Sequence, residues 1–251
     1  MLTAPNGVDP LLFLAVVAFS GLIIGLSKGG LGAPLGAIVA PMLAIAFPVS
    51  EAVSLVLPLL IIGDIFALAA YWKQWDLRYL WLMLPPAIIG IVIGTTLLVS
   101  LDNRTLKTVL GLFTLFFVAV RVFGDRLLEA HYQPRDWHGV IAGAITGLAS
   151  ALANAGGTPF TIYMMLQKVT PRVFVGTITL YFAILNVLKL PGYISTGLLT
   201  WDRLLTLIPA LPLIPVGVWI GHAVVKRLNR QVFDIILLGV LTLAAILLLV
   251  R

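Results

Sequence analysis

The sequence has no cysteine, little charge and few histidines, and each shortage excludes a class of function. Without cysteine there is no disulfide scaffold, no thiolate metal site and no cysteine nucleophile. Only 10% of the 251 residues are charged, too few to give a soluble domain of this length a polar surface. The histidines, His131, His138 and His222, have no metal-ligand spacing. No His-Glu-x-x-His, serine–histidine or paired-aspartate arrangement accompanies them. A Walker loop is missing too, which argues against direct ATP hydrolysis. Enzymatic chemistry is therefore the weaker reading, and the sequence asks for no metal or cofactor.

What is abundant is apolar sequence: 61% of the residues are hydrophobic and the mean hydropathy is +1.10. Leu204 to Val225 and Tyr79 to Leu101 contain no Asp, Glu, Lys or Arg, and each as a helix is long enough to cross a hydrocarbon core of roughly 30 Å. The chain reads as an all-α polytopic membrane protein. Its net charge of +6 would suggest nucleic acid in a soluble protein, but here the basic residues are scattered through short loops. The bilayer is the partner that this pattern implies. Leu11 to Leu26 has no Lys or Arg before it and reads as a retained helix, not a removed signal peptide.

Apolar runs and their breakers predict ten helical segments. The first five are 11–27, 34–47, 51–72, 78–100 and 104–123; the second five are 138–153, 159–168, 172–194, 203–225 and 230–250. Matches recur in order along the two sets. Gly21-Leu22-Ile23-Ile24-Gly25-Leu26 resembles Gly143-Ala144-Ile145-Thr146-Gly147-Leu148, and Trp75-Asp76 matches Trp201-Asp202. Gly90-Ile91-Val92-Ile93-Gly94 then matches Gly217-Val218-Trp219-Ile220-Gly221, and Asn103-Arg104 matches Asn229-Arg230. The expectation is a duplication, with repeats at 1–123 and 138–251 joined by a cytoplasmic linker at 124–137.

If the short second segment of each half forms a re-entrant hairpin with the first, the halves lie inverted in the membrane. One set of loops then holds Lys73, Arg78, Arg121, Arg126, Arg135, Lys168, Arg172, Lys226, Arg227 and Arg230. The other holds Arg104, Lys107, Lys189, Arg203 and Arg251. The excess places the first set in the cytoplasm of a cell or plasma membrane, with both termini outside. Trp72, Trp75, Trp81, Trp137 and Trp201 fall at segment ends, as interfacial aromatics do.

The densest signal is Gly25-Leu26-Ser27-Lys28-Gly29-Gly30-Leu31-Gly32-Ala33-Pro34, a helix break followed by a proline suited to a new first turn. Its second copy reads Ser150-Ala151-Leu152-Ala153-Asn154-Ala155-Gly156-Gly157-Thr158-Pro159, where Thr158 is expected to cap the helix that Pro159 opens. Irregular backbone at membrane depth is tolerated only inside protein or along a wet cavity, and helix N-termini there favour anions. This plan, a glycine-rich break after the first helix, a proline-led short helix and a repeat of both, resembles the sulfite exporter TauE/SafE family of membrane permeases. The resemblance covers nearly the whole chain. It implies transport of sulfite, short organosulfonates or related carboxylates.

The substrate site is expected between the two breaks, at Ser27, Lys28, Gly29, Gly30, Asn154, Gly156, Gly157 and Thr158. Lys28 has the alternative of snorkelling to an interface. The glycines at 21, 25, 90, 94, 143 and 147 have the alternative of close helix packing. Asp64 lies well inside the third segment, where a charge costs about 2.5–3.5 kcal/mol, so it should be paired, protonated or wet. It is the candidate for proton coupling; its counterpart in the second half is Asn186, which keeps the shape without the charge. Asn186 and Lys189 lie one turn apart and would support the site from behind, although Lys189, just before Pro191, also reads as an interfacial cation. His222 reads as structural, Glu51 as a first-turn charge, and Asn103 and Asn229 as caps of the helices they open. Together these residues predict a secondary transporter of small anions working by alternating access. A passive channel is the alternative.

Overall fold

The computed structural model describes residues 10–31, 36–44, 47–128, 135–167, 169–224 and 230–250. The Gly32 to Pro34 end of the first break, His131, Lys168 and Asn229 lie outside the described residues, as does the side chain of His222. Every regular element in the described residues is helical. The helices are α1 (Pro10–Leu26), α2 (Val39–Leu43), α3 (Val49–Ala70), α4 (Leu77–Ser100), α5 (Asn103–Leu128) and α6 (Asp136–Ala153). They continue with α7 (Gly157–Leu166), α8 (Pro171–Ser195), α9 (Trp201–Leu205), α10 (Leu213–Val224) and α11 (Arg230–Val250). Five of the described helices are long and apolar enough to cross a membrane, or up to six spans if the bent pair formed by α9 and α10 counts as one.

The expected segments are present, with three corrections. The single segment 203–225 is broken: α9, a 3₁₀ turn at Ile208–Ala210 and α10 meet at a bend of 46°. Pro209 and Pro212 each lack the N–H that a continuous helix needs there, and their rings crowd the preceding turn. The first break begins later than its glycines suggest, because α1 runs on through a π-helical turn, Ser27–Leu31. Asn103 does not cap its own helix. Asp102 does, accepting the backbone N–H groups of Arg104 and Thr105 at 2.9 and 3.1 Å. Asn103 instead reaches across to accept the Val49 N–H at 2.9 Å, so it closes the start of α3.

Packing pairs the elements crosswise. α1 lies against α10, α4 against α6, α3 against α8 and α5 against α11. Glycine makes the first two contacts possible. A methyl group on Gly21, Gly25 or Gly29 would come within 3.0 Å of backbone in the 3₁₀ turn or α10, and one on Gly217 or Gly221 within 3.0 Å of α1. At the other seam the same holds for Gly90 and Gly94 against α6, and for Gly143 and Gly147 against α4. Close packing of small residues is how helices associate where no water drives them together.

The two ends of α3, about 33 Å apart by helical rise, collect different loops. At its start, Glu51 Oε1 accepts from Arg203 Nη2 at 2.7 Å, beside the Asn103 contact. Just past its other end, Gly176 of α8 packs on the Gln74 backbone and the Asp76 N–H donates to Thr177 Oγ1 at 2.9 Å. Arg78 also pairs with Asp136 at that end, at 3.2 Å.

Candidate functional site

Both helix breaks point their polar groups at the α3–α8 crossing. In the first half, the π-turn swings Lys28 onto Gly63 of α3, where a methyl group would lie 3.0 Å from Lys28 Cγ. Gly63 thereby leaves room for the lysine stem, and the Lys28 ammonium donates to Asp64 Oδ1. The second oxygen of Asp64 accepts from Asn186 Nδ2 of α8 at 2.7 Å. The counterparts Asp64 and Asn186 thus touch each other where α3 and α8 cross. The Lys28 side chain is turned inward: it is 18% exposed and ion-paired to a carboxylate that is 3% exposed.

In the second half, α6 stops because Asn154 takes a left-handed conformation, φ 51°, which Asn tolerates better than most residues. Its N–H returns to Ser150 O at 3.1 Å. Both ends of its side-chain amide are engaged. Nδ2 donates to Val53 O of α3 at 2.9 Å, and Oδ1 accepts from Lys189 Nζ of α8 at 2.8 Å. Lys189 donates as well to Ser150 O at 3.3 Å, and the Tyr193 hydroxyl to Ala151 O at 2.7 Å. Carbonyls left over at the end of α6 are therefore satisfied by α8.

Lys189 corrects the sequence reading most. It was expected near a loop, yet it is completely buried and leaves the count of loop charges. Pro191 lies within α8, which runs to Ser195, about where the expected segment 172–194 ends. Thr158 is the other correction. The helix opens at Gly157 with Gly156 at its cap position, so Thr158 lies in the first turn and caps nothing. Its hydroxyl is buried without a hydrogen-bond partner, as are Thr146 Oγ1 and Asn186 Oδ1.

Of the remaining candidates, Ser27 is buried in the π-turn beside Gly36, and Gly29 is pressed against Val218 of α10. Gly156 packs on α6, where a methyl group would come 2.6 Å from Thr146 O and 3.0 Å from Ser150 Cβ. Gly30 continues the π-turn and Gly157 begins α7. Gly63 and Val53 were missed by the sequence reading. Gly63 carried a usable signal, a glycine immediately before an intramembrane aspartate, whereas Val53 contributes only a carbonyl. Among the described residues no cluster of His, Cys, Asp or Glu is suited to a metal ion.

The sequence profile of the sulfite exporter TauE/SafE family matches residues 17–248, which takes in both breaks and the crossing between them. The chain belongs to that family. Searches of curated proteins and of solved structures gave no match. Membership in the TauE/SafE family makes the chain a multi-pass membrane transporter and not an enzyme, and it implies export of sulfite or a related anion. A polar centre with two lysines inside an apolar TauE/SafE bundle agrees with anionic cargo.

Proposed function

We propose that the chain is a secondary transporter of small anions, sulfite or short organosulfonates, working by alternating access between two inverted repeats in the cell membrane. The observation that carries this reading is the Lys28–Asp64–Asn186 chain at the crossing of α3 and α8. The crosswise pairing of α1 with α10 and α4 with α6 supports it, since a two-fold relation between halves exchanges such contacts. So do the corresponding turns after α3 and α8, which meet different ends of α3. On the loop charges, both termini face outward.

In this reading the anion sits between the two breaks, within reach of Ser27, Lys28, Asn154 and Thr158 and the N–H groups at the start of α7. Asp64 competes with that anion for Lys28. A proton on Asp64 removes the competing charge and releases the ammonium to the substrate, so one site couples the two loads. No nucleotide is consumed; an ion gradient drives uphill movement.

Thermal unfolding of the purified protein across sulfite, sulfate, thiosulfate, sulfoacetate, taurine and simple carboxylates tests the cargo, because a ligand of the folded state raises its apparent stability. In proteoliposomes with an imposed pH gradient, Asp64→Asn should still exchange substrate but no longer concentrate it. Accumulation equal to that of the parent would remove Asp64 from the coupling. Saturable flux with gradient-driven counterflow separates this transporter from a passive channel. Single cysteines at Gly7 and Gln133 should label from opposite faces with an impermeant reagent, and labelling from one face would sink the inverted arrangement.

A further inference from the structure

The polar centre holds two lysines and one carboxylate. Asp64 is fully engaged by Lys28 and Asn186, so Lys189 is left with oxygen dipoles alone, Asn154 Oδ1 and the Ser150 carbonyl. No carboxylate lies within ion-pair distance of it among the described residues. Its ammonium has three donors and two are used. A fully buried cation without a counter-charge is unfavourable by several kcal/mol in general, roughly the penalty of desolvating one ion.

The carbonyl end of α6 offsets part of this charge, since a helix C-terminus carries about half a negative charge. The start of α7 cancels that help. It faces the same break three residues later, presenting N–H groups and the opposite partial charge. In its first turn stands Thr158, 9% exposed, whose hydroxyl has no partner. Gly156 seats this turn on Thr146 and Ser150, the residue whose carbonyl Lys189 holds. A buried ammonium, an idle hydroxyl and a helix N-terminus therefore share one break, and all are donors.

We infer that Lys189, with Thr158 and the first turn of α7, forms the resident anion site, which binds a compact oxyanion such as sulfite or a small sulfonate while Lys28 is still held by Asp64. The inference rests on the anion-transport reading and deepens it. The anion enters a centre whose positive charge is already stationed in the second half, and Lys28 joins only when Asp64 lets go. Lys189 is thus a direct ligand of the substrate, not a prop behind it.

The test is thermal unfolding of detergent-purified protein titrated with sodium sulfite and sodium methanesulfonate, with sodium chloride as the ionic-strength control. The variants are Lys189→Met, which keeps the stem and removes the charge, and Thr158→Val, which keeps the shape and removes the hydroxyl. Without anion, both should melt at or above the parent temperature, because Lys189→Met removes a buried cation that has no counter-charge and Thr158→Val a buried hydroxyl that has no partner. Lys189→Met should weaken the apparent affinity at least about tenfold, the worth of one hydrogen bond to a charged group, and Thr158→Val by a smaller factor. Parental affinity in both variants overturns the inference while leaving anion transport intact. A Lys189→Met protein that melts lower with unchanged affinity, or fails to fold, overturns it by making Lys189 a cap of α6. A parent that neither oxyanion stabilises beyond chloride removes the anion reading itself, and this site with it.

Discussion

At the first helix break the ammonium belongs to the break and its acceptor to the helix that crosses it: Lys28 donates to Asp64 of α3. At the second the roles are exchanged, for the break supplies Asn154 as acceptor and the crossing helix α8 supplies Lys189. Each break meets a crossing helix through one lysine, but one acceptor is a carboxylate and the other an amide. A carboxylate neutralises a lysine; an amide only solvates it. The two lysine contacts therefore differ by a full charge.

Replacing each lysine with methionine should break the comparison most sharply. Lys28→Met leaves the Asp64 carboxylate buried with Asn186 alone, and removal of one partner from a buried pair costs about 3 kcal/mol or more. The melting temperature should fall steeply, whereas Lys189→Met should not lower it at all. Comparable losses in the two variants would mean that the halves are electrostatically equivalent. Asn154→Asp sharpens the comparison from the other side by giving Lys189 the counter-ion that Lys28 has. The carboxylate cannot donate to Val53 O as the amide does, and that loss offsets the stronger bond to Lys189, so the melting temperature without anion should stay near the parental value while stabilisation by sulfite is suppressed.

A smaller effect is expected where α8 satisfies the end of α6. Tyr193→Phe deletes a buried hydrogen bond to Ala151 O and should cost about 1 kcal/mol in chemical or thermal unfolding. The smallest lies at the exposed start of α5. There the Thr105 hydroxyl, helped by backbone N–H groups, holds the Asp102 carboxyl below its ordinary range. A carboxyl depressed on folding stabilises the protein above its unfolded value and loses that contribution as pH falls through its folded value. Asp102→Asn should therefore slightly flatten the acid side of the stability profile and leave the neutral side nearly unchanged, since Asn also caps helices.

Much of this was legible in the sequence because hydropathy and glycine spacing are local signals. The segments, the short helix after each break and the glycine seams all follow from runs and spacings within a few turns. The need for a partner at Asp64 was legible too, from the cost of a lone charge in a bilayer. That the partner is Lys28 was not, because 36 residues and the helix α2 separate them and only the seating of α1 on α3 aligns them. Lys189 was counted with the loops for a different reason: it lies near the expected end of its segment, and the sequence does not show that the end of α6 covers it there. Thr158 failed as a cap because two glycines ahead of it let the helix open two residues early.

The crosswise glycine seams bear on how such a chain is made. α1 leaves the ribosome long before α10, so its glycine face enters the bilayer with no helix to receive it. The same delay separates α4 from α6 only briefly, since α6 follows within the next two helices. Assembly thus has an early seam and a late one. Until α10 arrives to close the late seam, α1 is held by α3 and by the Lys28–Asp64 bridge. An ion pair that lies in the polar centre of the finished protein would serve the unfinished one as a temporary fastening.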